Sequence, residues 1–309
     1  MSRPLLALLL LAASGSAGAM SIYGRDNRRE IHEVPAKGLR ELSRGVVALF
    51  KSAKVTIDGE TARLEAPPLL ERLPLHPSAR FAEQPAGASC TGALIGADLV
   101  LTAGHCFRKT ACADTSFVFD YAYREPGQDP TSVPASSVYG CGTLLVRRDD
   151  DADEDWALVK LDRPVAGREP LELESGTLEP GHPIFTIGHP FGLPAKYAGS
   201  AKVRESSPFG FTSDLDALAG NSGGPVFSAA TRKIVGLVSR GDPFLVQDLE
   251  HPGLAKLMVL GHEAGAGTIV MDSARIAKTL ENRRRAAAFG GAEAARFRAR
   301  LEAMARQLP

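Results

Sequence analysis

The sequence predicts an all-β protein finished by a C-terminal helix. Short runs of β-branched and aromatic residues recur along the chain, Gly, Pro and Asp clusters separate them at spacings typical of antiparallel barrels or sandwiches, and no βαβ alternation intervenes. The runs are Val46 to Phe50, Ala93 to Thr102, Phe117 to Tyr121, Thr143 to Val146, Ala157 to Leu161, Pro183 to Ile187, Ile234 to Ser239 and Thr268 to Met271. From Ser273 to Pro309 the composition shifts to Ala, Arg, Leu and Glu, with nine basic and three acidic residues, which reads as helix interrupted at Gly290-Gly291. Between the β runs, Arg163 to Gly181 holds three prolines and no period, so the boundary between two halves is expected there. The organisation that follows is a leader over 1–19, a first unit over 20–165, a second over 166–272 and a tail over 273–309. No internal repeat is evident.

The leader has Arg3, an apolar run from Leu5 to Ala13 and the small-residue end Ala17-Gly18-Ala19, the layout of a secretory signal peptide. Nine apolar residues fall short of the roughly 20 that span a bilayer, so export rather than anchoring is expected, with the mature chain starting at Met20. The expected location is secreted or periplasmic. Thirty-six basic residues balance thirty-six acidic ones in 309, which leaves no global field to steer the protein onto nucleic acid or a membrane.

An oxidising destination makes the four cysteines informative. Cys90, Cys106, Cys112 and Cys141 allow three pairings. A Cys90–Cys106 bridge would enclose fifteen residues, worth roughly 3 kcal/mol of loop-closure entropy, and Cys112–Cys141 would follow as the second. No C-x-x-C spacing occurs and the histidines do not cluster around the cysteines, so no metal is expected. Asp149, Asp150, Asp151, Asp153 and Glu154 read as a solvated acidic loop, and His182 and His189 as structural residues of tight turns.

LAGNSGGPVF, residues 219–228, places Ser222 among glycines and satisfies G-x-S-x-G through Gly220, Ser222 and Gly224. The nucleophile elbow of α/β-hydrolases shares that pattern, with Asp248 and His251 or His262 as partners, but needs a strand-to-helix turn that neither side of Ser222 supplies. Three segments in order fit better. CTGALIGADLVLTAGHC, DEDWALVKLDRPV and GNSGGPVF resemble the histidine, aspartate and serine regions of trypsin-like (chymotrypsin-fold) serine proteases across residues 88 to 241. Asn221, the Asp26-x-Arg28 near the mature start and DALAGNSGGP resemble the bacterial V8-like, glutamyl-endopeptidase-like branch.

The resemblance implies two six-stranded antiparallel β-barrels with the catalytic residues His105, Asp155 and Ser222. A serine hydroxyl needs a base within about 3 Å to attack an amide near neutral pH, which His105 would supply while Asp155 fixes its tautomer. The backbone N–H groups of Gly220 and Ser222 would form the oxyanion hole. Asn221 stands where zymogen-activated relatives carry an aspartate that pairs with a new N-terminus, so no such ion pair is expected. Asp216, six residues before Ser222, implies a Lys or Arg preference, while Val238 stands where glutamate-specific members carry a histidine. Arg240 would neutralise Asp216 or receive an acidic side chain, and Ser239, Arg240 and Gly241 would pair with the substrate backbone. The expected substrates are polypeptides, with no cofactor, no nucleic acid, no membrane span and a monomeric state. The other readings are a non-catalytic binding protein on the same fold and an HtrA-like protease.

Overall fold

The computed structural model describes residues 21–149, 154–176, 178–243 and 245–282. Six strands close a first barrel: β1 (Val46–Lys51), β2 (Cys90–Gly96), β3 (Leu99–Thr102), β4 (Thr115–Val118), β5 (Val138–Asp149) and β6 (Asp155–Leu161). A second holds β7 (Pro183–Gly188), β8 (Lys196–Ser207), β9 (Gly210–Ser213), β10 (Pro225–Ser228), β11 (Ile234–Arg240) and β12 (Thr268–Asp272), closed by the β7–β8 pairing. Around the first barrel the neighbours run β1-β2-β3-β6-β5-β4, and around the second β7-β8-β9-β12-β11-β10. The two barrels therefore share one antiparallel topology, although no repeat is visible in the sequence.

Each barrel is filled by the side chains its strands turn inward, as closure of a small barrel demands. Val47, Leu49, Val100, Phe117, Ala157 and Val159 fill the first, and Val203, Phe211, Val226, Val235, Val238 and Val270 the second. Two further clusters join the barrels. Val46 and Ala93 meet Phe185, Ile187, Phe227 and Ile234 in one, and Leu101, Trp156 and Leu158 meet Leu237 and Met271 in the other. Residues 273–282 form a helix whose Ile276 enters the second of these clusters, while the Asp272 carboxylate accepts the Ala274 N–H at 2.7 Å at the helix start. The rest of the predicted tail and the whole leader lie outside the described residues.

Several expectations shift by one element. Ala93 to Thr102 is a hairpin of β2 and β3 rather than one strand, and the run ending at Tyr121 stops at Val118 because Asp120 takes φ +66°. Thr143 to Val146 is the middle of the twelve-residue β5. The first segment does not stay with the first barrel. Its strand Ile22–Tyr23 pairs in parallel with Val259–Leu260, and Arg29–Glu30 pairs with Lys196 and Tyr197 of β8.

Both predicted disulfides form, Cys90–Cys106 across β2 and the turn after β3, and Cys112–Cys141 from the turn before β4 to β5. The second cross-links residues 29 apart and lies away from the His105 turn. Replacing Cys112 and Cys141 together by Ala is expected to lower the unfolding free energy by about 3.5 kcal/mol in urea titrations through lost loop closure. An unchanged midpoint would contradict it.

Candidate active site

His105 stands on the single-turn segment Gly104–Phe107 after β3, beside Cys106, which the disulfide ties to β2. Asp155 opens β6, opposite Asp149 of β5, and is buried. Its Oδ1 accepts the His105 backbone N–H at 2.9 Å, and its Oδ2 lies 2.7 Å from His105 Nδ1 and accepts the Ser239 hydroxyl at 2.5 Å. An ionised carboxylate can only accept, so Nδ1 carries the ring proton and Nε2 presents a lone pair. Burial alone would push the Asp155 carboxyl up. The two hydrogen bonds from His105 together with the Ser239 hydroxyl outweigh it, holding the group below the usual carboxylate value.

Ser222 lies on the turn between Leu218 and β10. Its carbonyl oxygen accepts the Thr91 N–H at 2.9 Å and sits 3.9 Å from Cys106 Sγ, next to the His105 turn. Gly223, at φ +79°, presses that turn into the first barrel. A Cβ there would lie 2.2 Å from Thr102 Oγ1, 2.4 Å from the Ala103 nitrogen and 2.5 Å from the Thr91 oxygen, so only glycine fits. From the second barrel, the Gly223 N–H donates to the Val238 oxygen at 2.7 Å. Gly220 takes φ +97°. The neutral Asn221 closes the turn locally: its Oδ1 accepts the Leu218 N–H at 3.2 Å, its N–H donates to the Leu218 oxygen at 2.9 Å, and its oxygen accepts the Gly224 N–H at 2.7 Å.

Asp216 does not form an open anionic floor. Only 2% exposed, it accepts the Tyr23 N–H at 2.7 Å on Oδ1 and the Asn27 N–H at 3.2 Å on Oδ2. Burial pushes its carboxyl up to about 6 despite those two donors. The segment that uses it is itself strapped down by charge. Arg28 pairs with Asp26 through Nε at 2.8 Å and Nη2 at 2.7 Å, Arg80 donates to the Arg28 oxygen at 2.6 Å, and Lys196 donates to Glu30 at 2.9 Å. Arg240 and Gly241, at and beyond the end of β11, are half-buried.

The acidic run also departs from expectation. Asp149 is not solvated, because Arg108 and Arg147 hold its carboxylate at 2.5 and 2.6 Å. Residues 150–153 lie outside the described residues. His189 is buried against Tyr121, with ring centroids 5.6 Å apart and Nδ1 3.0 Å from the Leu193 oxygen, and burial pushes it down to about 3, so it stays neutral. His182 Nε2 lies 2.9 Å from the Ser228 hydroxyl.

Two groups among the described residues bring potential metal ligands together. In Cys90, His105 and Cys106 the sulfurs are bonded to each other and cannot ligate, and the other group is the buried Asp248 with the exposed Glu250 and His251. Among the described residues no helix is long and apolar enough to cross a membrane. Sequence reasoning missed the Ser239 hydroxyl, whose signal is a serine inside the otherwise apolar IVGLVSR, and the Tyr23 and Asn27 donors, which carry no local signal.

Residues 90–237 match the trypsin-like peptidase domain family. A glutamyl endopeptidase of Bacillus licheniformis is 26% identical over 153 residues, 47% of each chain, so the chain spans about half the length of the curated relative it matches. Among solved structures, a Glu endopeptidase in complex with MPD aligns over 85% of this chain and 99% of its own at a TM-score of 0.51 and 14% identity. The human heparin binding protein aligns over 83% and 95% at a TM-score of 0.50 and 14% identity. Both structures share the fold.

Ser239→Ala leaves the buried Asp155 carboxylate one donor short and is expected to cost about 1.5–3 kcal/mol near neutral pH. Asp155 ionises more readily folded than unfolded, so this stability is present above the unfolded carboxylate value and is lost as pH falls through the lower folded one. Urea curves of the two proteins should converge in acid. A gap that persists there would show that the hydroxyl acts elsewhere.

Proposed function

We infer that this chain, a trypsin-like peptidase domain over residues 90–237 close to the glutamyl-endopeptidase-like branch, is a secreted or periplasmic serine endopeptidase acting through an acyl-enzyme on Ser222. The contact of His105 Nδ1 with the buried Asp155 carboxylate carries the reading, because it commits the imidazole to one tautomer and leaves Nε2 as the base. In the proposed sequence the Ser222 hydroxyl passes its proton to His105 Nε2 as its oxygen adds to the substrate carbonyl carbon. The N–H groups of Gly220 and Ser222 receive the oxyanion. The imidazolium then returns the proton to the departing amine, and water repeats the cycle on the ester to release the acid.

A Lys or Arg preference loses its support, since both oxygens of Asp216 already hold backbone N–H groups of the N-terminal segment. A cationic substrate side chain would have to reach a carboxylate only 2% exposed beneath that segment, and the segment would have to move to admit it. Cleavage profiling on a peptide library is therefore expected to show no more than a few-fold enrichment of Lys or Arg before the cut bond. A dominant Lys or Arg signal would restore Asp216 as the selector.

The competing reading, a non-catalytic binder on this fold, is separated by chemistry. Wild type should be labelled covalently at Ser222 by a fluorophosphonate, and Ser222→Ala should fold yet lose on the order of 10⁶ in turnover. Folded wild type that neither reacts nor cleaves any library peptide would end the peptidase reading.

A further inference from the structure

Thr91, the second residue of β2, is fully buried and wired to the Ser222 turn at two points. Its hydroxyl donates to the Gly220 oxygen at 2.7 Å and accepts the His189 N–H at 3.0 Å, while its backbone N–H donates to the Ser222 oxygen at 2.9 Å. Its own carbonyl accepts the Thr102 hydroxyl at 2.7 Å, which fixes it to β3. The loop His189–Gly192 also packs against Gly220. There the Phe191 N–H donates to the Ala219 oxygen, and a Cβ on Gly220 would lie 2.3 Å from the His189 oxygen and 2.8 Å from the Gly192 nitrogen.

These contacts fix two peptide planes. In a trans peptide the carbonyl and the N–H point in opposite directions, so a carbonyl held on one side forces its N–H to the other. The Ala219 oxygen is held by Phe191, which turns the Gly220 N–H away from the 189–192 loop. The Gly220 oxygen is held by Thr91, which stops the following plane from rotating to carry the first with it. Phe191 takes φ +56° to make its contact, a conformation uncommon for a bulky residue that persists only where the surroundings impose it.

We propose that Thr91 is a positioning residue for the oxyanion hole: its hydroxyl clamps the Gly220 carbonyl to the His189–Gly192 loop and so keeps the Gly220 N–H aimed at the developing oxyanion. The proposal rests on the peptidase reading. It is distinct from the triad, because the Thr91 hydroxyl is engaged with the Gly220 oxygen and the His189 N–H.

Thr91→Val keeps the shape and the backbone N–H and removes only the hydroxyl. Its kcat on a library-derived peptide is expected to fall about 30-fold with KM within about 3-fold of wild type, and affinity for a peptide boronate, whose adduct carries the oxyanion, should fall in parallel. Thr91→Ser restores the hydroxyl and should recover kcat to within about 3-fold. An active wild type with unimpaired Thr91→Val, or a Thr91→Ser as slow as Thr91→Val, overturns the proposal alone. Wild type that neither cleaves nor labels overturns the peptidase reading and takes the proposal with it. Should Thr91→Val fail to fold, hydrogen exchange on wild type decides: protected His189 and Phe191 amides support the clamp, and freely exchanging ones overturn it.

Discussion

The buried carboxylate of Asp155 is the constraint on which the arrangement of the molecule depends. A charge withdrawn from water costs several kcal/mol unless donors surround it, and no single element of this chain supplies enough of them. The His105 turn after β3 gives two, and Ser239 on β11 gives the third. One of those elements belongs to the first barrel and the other to the second. The docking of the barrels is therefore fixed by a polar requirement as well as by the apolar clusters around Phe185 and Trp156. The apolar clusters contribute affinity between the barrels without direction, because that gain follows area removed from water. The carboxylate provides register, because its donors must arrive within hydrogen-bond distance.

The legible parts of the sequence were those in which residue type and position agree. β1, β6, β7, β11 and β12 are dense in Val, Ile and Leu, and their runs stand out without reference to any partner. β8, KYAGSAKVRESS, did not, because it mixes small and charged residues and buries only part of its length. β9 and β10 are four residues each, too short to show a period. The segments around His105, Asp155 and Ser222 carry specific flanking motifs, and the pairing of His105 with Asp155 is the part of that assignment the geometry displays. The partners of Asp216 were not legible, since Tyr23 and Asn27 donate from the backbone and lie some 190 residues away in sequence. The disulfides lay between these cases: spacing favoured a short loop, and the barrel brings the remaining pair together.

The N-terminal segment illustrates how charge can be buried by local accounting. Asp26, Arg28, Glu30, Arg80 and Lys196 meet where the segment crosses β8, and each ion has an opposite within reach. Lys196 still bears the cost of burial, which pushes its ammonium down to about 8 against the favourable pull of Glu30. The result is a strap held by directional contacts rather than by an apolar stripe, with Ile22 and Tyr23 beyond it buried beside Val259 and Leu260. That strap brings the two N–H groups to Asp216.

A turn rich in glycine has many conformations to lose, and something must select one of them. Here the selection uses neutral groups. Asn221 closes the turn on Leu218, Gly223 admits the backbone of Thr91 and Ala103 at distances no side chain would allow, and the Thr91 hydroxyl holds the Gly220 carbonyl. None of these contacts involves a charge. Their strength does not vary with ionic strength as an exposed ion pair would, and none needs a newly created N-terminal amine. Because the selecting contacts come from β2, β3 and β11, the turn inherits the rigidity of both barrels. A site whose groups must be placed within tenths of an ångström is better held by strands than by the loop that carries it.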